Sequence, residues 1–214
     1  MTWPLLTLAA YAVYLGTAFV ARTVLQYRAT GDSGFRGISG RPGSSEWLAG
    51  VGFVVALVCG VAGPAAALAG LEPVGVLDHA FIASIGALVA VAGIAATLWA
   101  QGQMGASWRI GVDEAERTDL VTTGAFAFAR NPIFTAMVAT GAGLTLMTPN
   151  VVSLVGFMLL VLAIELQVRV VEEPYLLTTH PQYGQYAART GRFLPGVGRL
   201  APQSSASSSE QAVS

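Results

Sequence analysis

Five apolar runs constrain what this chain can fold into. A helix rises about 1.5 Å per residue and the hydrocarbon core of a bilayer is about 30 Å thick, so a run of about 20 apolar residues can cross it. Only 11% of the residues are charged and 54% are hydrophobic, whereas a soluble domain has about 25% charged residues. The sequence therefore predicts an all-α membrane protein with five transmembrane helices. The runs cover about residues 3–26, 47–71, 80–100, 132–147 and 151–168.

Two features of these runs predict how the helices pack. The third run is rich in small residues, which let neighbouring helices approach closely: Gly86, Ala90, Gly93 and Ala96. The fourth run has 16 residues and would reach only about 24 Å, and the fifth run is also short. Thr148-Pro149-Asn150 predicts a tight hairpin between these last two runs.

The arginines predict the orientation. All 11 basic residues are arginine, and cytoplasmic loops of membrane proteins carry an excess of positive charge. If the N-terminus lies outside, every arginine falls on a cytoplasmic segment. We therefore expect a multi-pass protein of the cell membrane with its N-terminus outside and its C-terminus in the cytoplasm. The three segments carry Arg22, Arg28, Arg36 and Arg41, then Arg109, Arg117 and Arg130, then Arg169, Arg189, Arg192 and Arg199.

Composition divides the chain and excludes several classes of function. We expect an N-terminal two-span region at 1–79 with a Gly/Ser/Arg loop at 28–46, a core at 80–200, and a disordered Ser-rich tail at 201–214. The net charge of −1 gives no reason to expect a nucleic-acid partner. A single Cys59 excludes a disulfide framework, and the spacing of Cys and His predicts no metal site. The oligomeric state stays open.

A first polar cluster lies in LVTTGAFAFARNPIF (120–134). Asn131 and Pro132 fit the N-cap and the first position of a helix. Arg130 lies at the start of that helix, where the macrodipole disfavours a cation. It therefore needs an anionic partner, either a ligand carboxylate or a glutamate of the protein. Backbone N–H groups of residues 124–126 could also bind an anion.

A second polar cluster closes the fifth run. Glu165, Arg169 and Glu172 have the spacing of one helical face, and Glu173 also lies four residues after Arg169. A salt-bridged helix end is one interpretation. Two adjacent carboxylates beside a membrane span are costly and tend to be functional, so a glutamate here could instead hold an ammonium group of a ligand.

The segment TTHPQYGQYAARTGRFLP (178–195) predicts a short amphipathic helix on the cytoplasmic side. Tyr183 and Tyr186 alternate with arginines there, as in helices that lie on lipid headgroups. The alternative is a lid whose aromatic rings cover a cationic sulfonium or a purine ring.

The order of these motifs resembles the isoprenylcysteine carboxyl methyltransferase and phospholipid methyltransferase family of integral membrane methyltransferases. The similar parts are LVTTGAFAFARNPIF, a membrane hairpin, EE-x-x-L-L, and Y-G-x-Y followed by R-F-L-P, together about residues 105–195. The resemblance implies S-adenosylmethionine as the cofactor, a site at the cytoplasmic membrane face, and a lipophilic or membrane-associated acceptor. The acceptor group could be a carboxylate, an amine or a thiol.

The resemblance also implies roles for particular residues. Arg192, Arg130 and Glu172 would be catalytic, and Arg192 would face an anionic acceptor. Glu173, with Glu172, would bind the amino group of the cofactor. The implied cofactor-binding residues are Leu120, Val121, Gly124, Ala125, Phe126, Arg130, Asn131, Phe134, Glu173, Tyr183 and Tyr186.

Two departures from the family pattern affect the chemistry. Asn131 stands where the family has histidine, which removes imidazole acid–base chemistry, and Ala125-Phe126 replaces Pro-Tyr. Methyl transfer needs alignment and exclusion of water more than a strong base, so both changes leave it open. Two alternatives remain. One is a sterol-reductase-like enzyme that binds NADPH, and the other is a non-catalytic membrane module or small transporter.

Overall fold

The computed structural model of the chain describes residues 2–33, 37–105 and 120–201. All regular elements in these ranges are helices, and the only extended pairing among them is an isolated bridge between Ala129 and Gly191. The predicted all-α class is therefore confirmed for this part of the chain.

Seven helices make up the described ranges. Helices α1 and α6 each run without a break through one π-helical segment, at Gly16–Ala21 and Gln167–Glu172 respectively. A 3₁₀ turn at Gly75–Leu77 precedes α3. The helices are α1 (Thr2–Thr30), α2 (Ser45–Leu68), α3 (Ala80–Met104), α4 (Ala125–Phe128), α5 (Pro132–Met147), α6 (Val151–Thr179) and α7 (Tyr183–Arg189).

Four of these helices, α1, α2, α3 and α6, are long and apolar enough to cross a membrane, and α5 is a shorter apolar helix of 16 residues. The chain is thus a multi-pass membrane protein. A fifth crossing by α5 and the orientation of the termini stay predictions. The division of the chain into 1–79, 80–200 and 201–214 also stays a prediction. The predicted disordered tail lies, from residue 202 onward, outside the described residues.

The predicted end of the fifth run is wrong. The prediction stopped at Val168, but α6 continues to Thr179 and has 29 residues. Pro174 would normally disturb a helix, because it lacks an N–H and its ring clashes with the preceding turn. Here a π-helical segment ends directly before Glu173, whose N–H donates to the Val168 carbonyl five residues earlier. The local change of register carries the helix past the proline.

Helix α3 packs against α5 through the predicted small residues. A Cβ on Gly143 would lie 2.4 Å from the Ala90 backbone nitrogen, and one on Gly93 would lie 2.7 Å from the Thr140 nitrogen. A Cβ on Gly86 would lie 2.6 Å from the Gly143 carbonyl oxygen. The backbones are in direct contact, so no larger residue fits. The prediction is confirmed except for Ala96, which is exposed. Thr97 occupies the buried seam instead, because the buried positions are spaced alternately three and four residues apart.

Helix α2 packs against α6, and the turn between α5 and α6 is fixed by one side chain. Asn150 accepts a hydrogen bond from the Ser153 N–H and donates one to the Gly63 carbonyl at 2.8 Å. It thereby caps α6 and ties it to α2, as the predicted hairpin requires. Helix α1 joins both pairs, since Tyr11 donates to the Leu57 carbonyl of α2. Gln101 of α3 donates to the Ala18 carbonyl in the π-helical segment of α1.

Candidate active site

Arg130 lies two residues before α5, and only 5% of it is exposed. Its Nε and Nη2 donate to Glu173 Oε1, and Nη2 also donates to the Gly198 carbonyl at 3.1 Å. Its Nη1 donates to the carbonyls of Ala187 and Thr190. These five hydrogen bonds match the five N–H groups of a guanidinium. The anionic partner expected for Arg130 is therefore a glutamate of the protein.

Glu173 joins Arg130 to a second arginine. Its Oε1 accepts from Arg130, while its Oε2 accepts from Nε and Nη2 of Arg192 at 2.9 and 2.7 Å. Only 5% of Glu173 is exposed. We call Arg130, Glu173 and Arg192 the ion cluster. It carries two positive charges and one negative charge, and so retains a surplus of one positive charge.

The surplus charge is most accessible at Arg192. Its side chain is 14% exposed, whereas that of Arg130 is fully buried. Glu173 accepts from Nε and Nη2 of Arg192. Within the described residues, Nη1 donates no hydrogen bond and can therefore donate to a ligand. The hydrogen bond to Glu173 raises the pKa of Arg192 above its ordinary value, which keeps this group charged.

Tyr183 and Tyr186 pack beside the ion cluster as an edge-to-face pair, with ring centroids 5.9 Å apart. Burial raises the pKa of Tyr183 to about 12, and the negative charge of Glu173 adds to this effect. Burial also raises the pKa of Tyr186. Both phenols are neutral in the physiological range. Only 2% of Tyr183 is exposed, so it lies inside the protein and not on its lipid-facing surface.

The segment after α7 is held against the start of α5 by backbone pairing. The Arg130 and Asn131 N–H groups donate to the carbonyls of Gly191 and Arg192 at 2.8 and 3.0 Å. The Asn131 side chain also donates to the Arg192 carbonyl at 3.1 Å. Asn131 thus occupies the predicted N-cap position but does not cap with its side chain. Where the family has histidine, this chain has an amide that anchors Arg192.

The loop before α5 turns at Gly124, whose φ of 59° favours glycine. Ala125 and Phe126 are buried against Ala100 of α3. The Phe126 N–H donates to the Thr123 carbonyl, so it is not one of the free anion-binding N–H groups that were expected. Tyr186 donates to the Phe126 carbonyl at 2.6 Å, which links the loop to α7.

The remaining predicted residues have contacts outside the ion cluster. Val121 packs on the Ala125–Phe126 contact, next to Leu120, and Phe134 packs on the hydrophobic core between the long helices. Glu172 accepts from Gln167 at 3.3 Å. Arg169 pairs with Glu165 on an exposed face. The expected alignment of Glu172 with that pair is changed by the π-helical segment, which turns Glu173 towards Arg130.

Two contributions to the site carry no signal in the sequence. The carbonyls of Ala187, Thr190 and Gly198 hold Arg130, and backbone groups are the same in every residue. Thr135 donates to the Phe193 carbonyl at 2.8 Å and fixes the segment beside Arg192. A hydroxyl one turn into an apolar helix is an ordinary feature, and only the fold gives it this partner.

The fold and the ion cluster place this chain among helical membrane proteins with a buried charged site at one end of the bundle. The family model described as phospholipid methyltransferase matches residues 81–184, just under half of the chain. The predicted resemblance to the integral membrane methyltransferase family is thereby confirmed. Comparisons with curated proteins and with solved structures gave no match.

Proposed function

We propose that this protein transfers the methyl group of S-adenosylmethionine to a lipophilic acceptor at the membrane face that holds the ion cluster. The family match supports methyl transfer to lipid-type substrates. The observation that carries the finer proposal is the buried cluster of Arg130, Glu173 and Arg192. Its surplus positive charge suits an anionic group of the acceptor, and a neighbouring aromatic ring suits the sulfonium or the purine of this cofactor.

The residues around the ion cluster fit the cofactor and its acceptor in three respects. Arg192 offers its Nη1 to an anionic group of the acceptor. Tyr186 is half-buried, packs edge to face on the buried Tyr183, and presents an aromatic face for a cation or a purine. Glu172 is half-buried one residue before Glu173 and can receive an ammonium group. The cofactor, when bound, supplies an electrophilic sulfonium methyl group.

Glu173 has a different role in this proposal from the one that the resemblance implies. Both of its oxygens already accept from arginines, so an ammonium group could use only the lone pairs that the arginines leave. We assign Glu173 as a positioning residue that fixes the two guanidinium groups. Arg130, whose donors are all engaged within the protein, fixes the segment from Ala187 to Gly198.

The acceptor would approach from the bilayer, with an anionic part oriented by Arg192. Asn131 has no proton to exchange at neutral pH, and Tyr183 and Tyr186 are neutral there. The described residues therefore supply alignment and exclusion of water, which are the main requirements of an in-line displacement.

Calorimetric titration of the purified protein tests the cofactor directly. We expect saturable binding of S-adenosylmethionine and S-adenosylhomocysteine and no binding of NADPH. Arg192→Ala should lower the rate of methyl transfer more than the affinity for the cofactor. The matched control is Arg189→Ala, which removes a positive charge from the exposed end of α7.

Two results would contradict the proposal. Saturable binding of NADPH alone would assign the protein to the reductases. Absence of binding to all three ligands, in a sample with an intact helical circular dichroism spectrum, would favour a non-catalytic module.

A further inference from the structure

A second pocket lies at the end of the helix bundle opposite the ion cluster. Its volume is about 390 Å³, which falls in the range of small-molecule sites, about 300–1,000 Å³. It is formed where the start of α1, the end of α2, the turn before α3 and the α5–α6 hairpin meet. We call it the hairpin-end pocket. A cavity of about 50 Å³ among α1, α2, α5 and α6 is too small for a ligand of that size.

Hydrogen bonds between different elements hold the floor of the hairpin-end pocket. Met147 and Asn150 line it and are almost fully buried. The Val74 N–H donates to the Pro149 carbonyl at 2.7 Å, which fastens the turn before α3 to the hairpin. Thr148 shares a hydrogen bond of 2.8 Å with Thr7 of α1. The pocket is therefore set by hydrogen bonds between elements and needs no ligand to form.

The lining combines an apolar wall with groups that attract a cation. Leu71, Leu77 and Met147 supply apolar surface, while Asp78 supplies a carboxylate and Trp3 an indole ring. Carboxylates pair with ammonium groups, and the face of an indole ring is the best aromatic site for a cation. Asp78 is exposed, so it can meet a ligand without rearrangement of the fold.

The charges of the whole bundle agree with this chemistry. Within the described ranges, all arginines lie on segments at or near the end that holds the ion cluster, namely Arg22, Arg28, Arg41, Arg130, Arg169, Arg189, Arg192 and Arg199. The turn at the hairpin end carries Glu72 and Asp78 instead. A cationic ligand is thus attracted to this end, and an anionic ligand is repelled.

We propose that the hairpin-end pocket binds the ammonium group of an amphiphile, with the ammonium at Asp78 and Trp3 and the adjoining carbon chain on the apolar wall. This site is separate from the ion cluster, and the inference does not rest on the proposed methyl transfer.

Scintillation-proximity binding of tritiated dodecyltrimethylammonium to the full chain in maltoside micelles tests the inference. We expect one saturable site that unlabelled dodecyltrimethylammonium displaces and dodecyl sulfate does not. Asp78→Asn should weaken binding about three- to tenfold, and Trp3→Leu should weaken it about two- to fivefold, as expected for an exposed ion pair and a cation–π contact.

Glu72→Gln is the matched control, because it removes one negative charge from the same turn but does not line the pocket. The affinity of Glu72→Gln for dodecyltrimethylammonium should stay within about twofold of the affinity of the unmodified protein. Equal losses in Asp78→Asn and Glu72→Gln would overturn the inference in favour of general surface charge. Absence of saturable binding, an unchanged affinity in Trp3→Leu, or equal displacement by dodecyl sulfate would also overturn it. An intact helical circular dichroism spectrum, measured in parallel, shows that each variant is folded.

Discussion

At the scale of single residues, the ion cluster combines stability with a charge that is available to a ligand. Glu173 neutralises one of two guanidinium groups in a nearly buried position. Removing one partner of a buried ion pair costs about 3–5 kcal/mol, because it leaves the other charge uncompensated. We therefore expect Glu173→Gln to lower the free energy of unfolding by a few kcal/mol as well as to weaken cofactor binding.

Glu165→Gln is the control for that prediction. It breaks an ion pair of the same type with Arg169 on the same helix, but on an exposed face, where such a pair contributes at most about 0.5 kcal/mol. Thermal unfolding of both variants in the same detergent separates the two cases. Equal unfolding temperatures would show that the ion cluster does not stabilise the fold.

The two arginines of the ion cluster should differ when each is changed to alanine. Arg130 holds three backbone carbonyls of the segment from Ala187 to Gly198, whereas Arg192 donates only to Glu173 within the described ranges. Arg130→Ala should therefore expose this segment to limited proteolysis, and Arg192→Ala should leave it protected. The opposite order of cleavage rates would reject the structural role of Arg130.

The sequence could predict that Arg130 needs an anion but not which one. The position of Arg130 at a helix start, next to Asn131-Pro132, is a local pattern and appears in the sequence. Its partner Glu173 is 43 positions away, and three of its acceptors are backbone carbonyls. Pairing over such distances depends on how the helices pack, which single-residue chemistry does not specify.

At the scale of secondary structure elements, the contact of α3 with α5 depends on the absence of side chains. Gly143→Ala would place a methyl group 2.4 Å from the Ala90 nitrogen, and overpacking of this kind costs about 1–3 kcal/mol. We expect Gly143→Ala to lower the unfolding temperature clearly. Gly102→Ala is the control, since nothing lies within 4 Å of its added methyl group. Equal unfolding temperatures for the two variants would contradict the close contact of the helices.

The sequence predicted the ends of helices correctly where a local residue pattern marks them. Pro132 and Asn150 mark helix starts, and α5 has the predicted bounds. The continuation of α6 to Thr179 did not follow, because a proline normally ends a helix and a π-helical segment has no distinct sequence pattern. The same segment decides which way Glu173 points, so the error in the helix and the incomplete prediction of the site have one cause.

At the scale of the whole molecule, the arginine distribution predicts the topology. In a Cys59→Ser background, we expect a cysteine at Val76, in the exposed turn before α3, to react with a membrane-impermeant maleimide in intact cells. A cysteine at Thr30, the last residue of α1, lies at the end of the bundle opposite to Val76 and should react only after permeabilisation. The reverse pattern would place the ion cluster outside the cell and remove its access to cytoplasmic cofactor.

The most direct measurement is methyl transfer itself. The protein is reconstituted in phosphatidylethanolamine vesicles with S-adenosylmethionine labelled in its methyl group, and the label in the organic extract is counted over time. We predict lipid-soluble label that accumulates with the unmodified protein and with Arg189→Ala, and that falls at least tenfold with Arg192→Ala. The same assay is repeated in vesicles supplemented with a total membrane lipid extract. If the protein binds the cofactor but no label enters the lipid fraction, transfer to a lipid acceptor is contradicted.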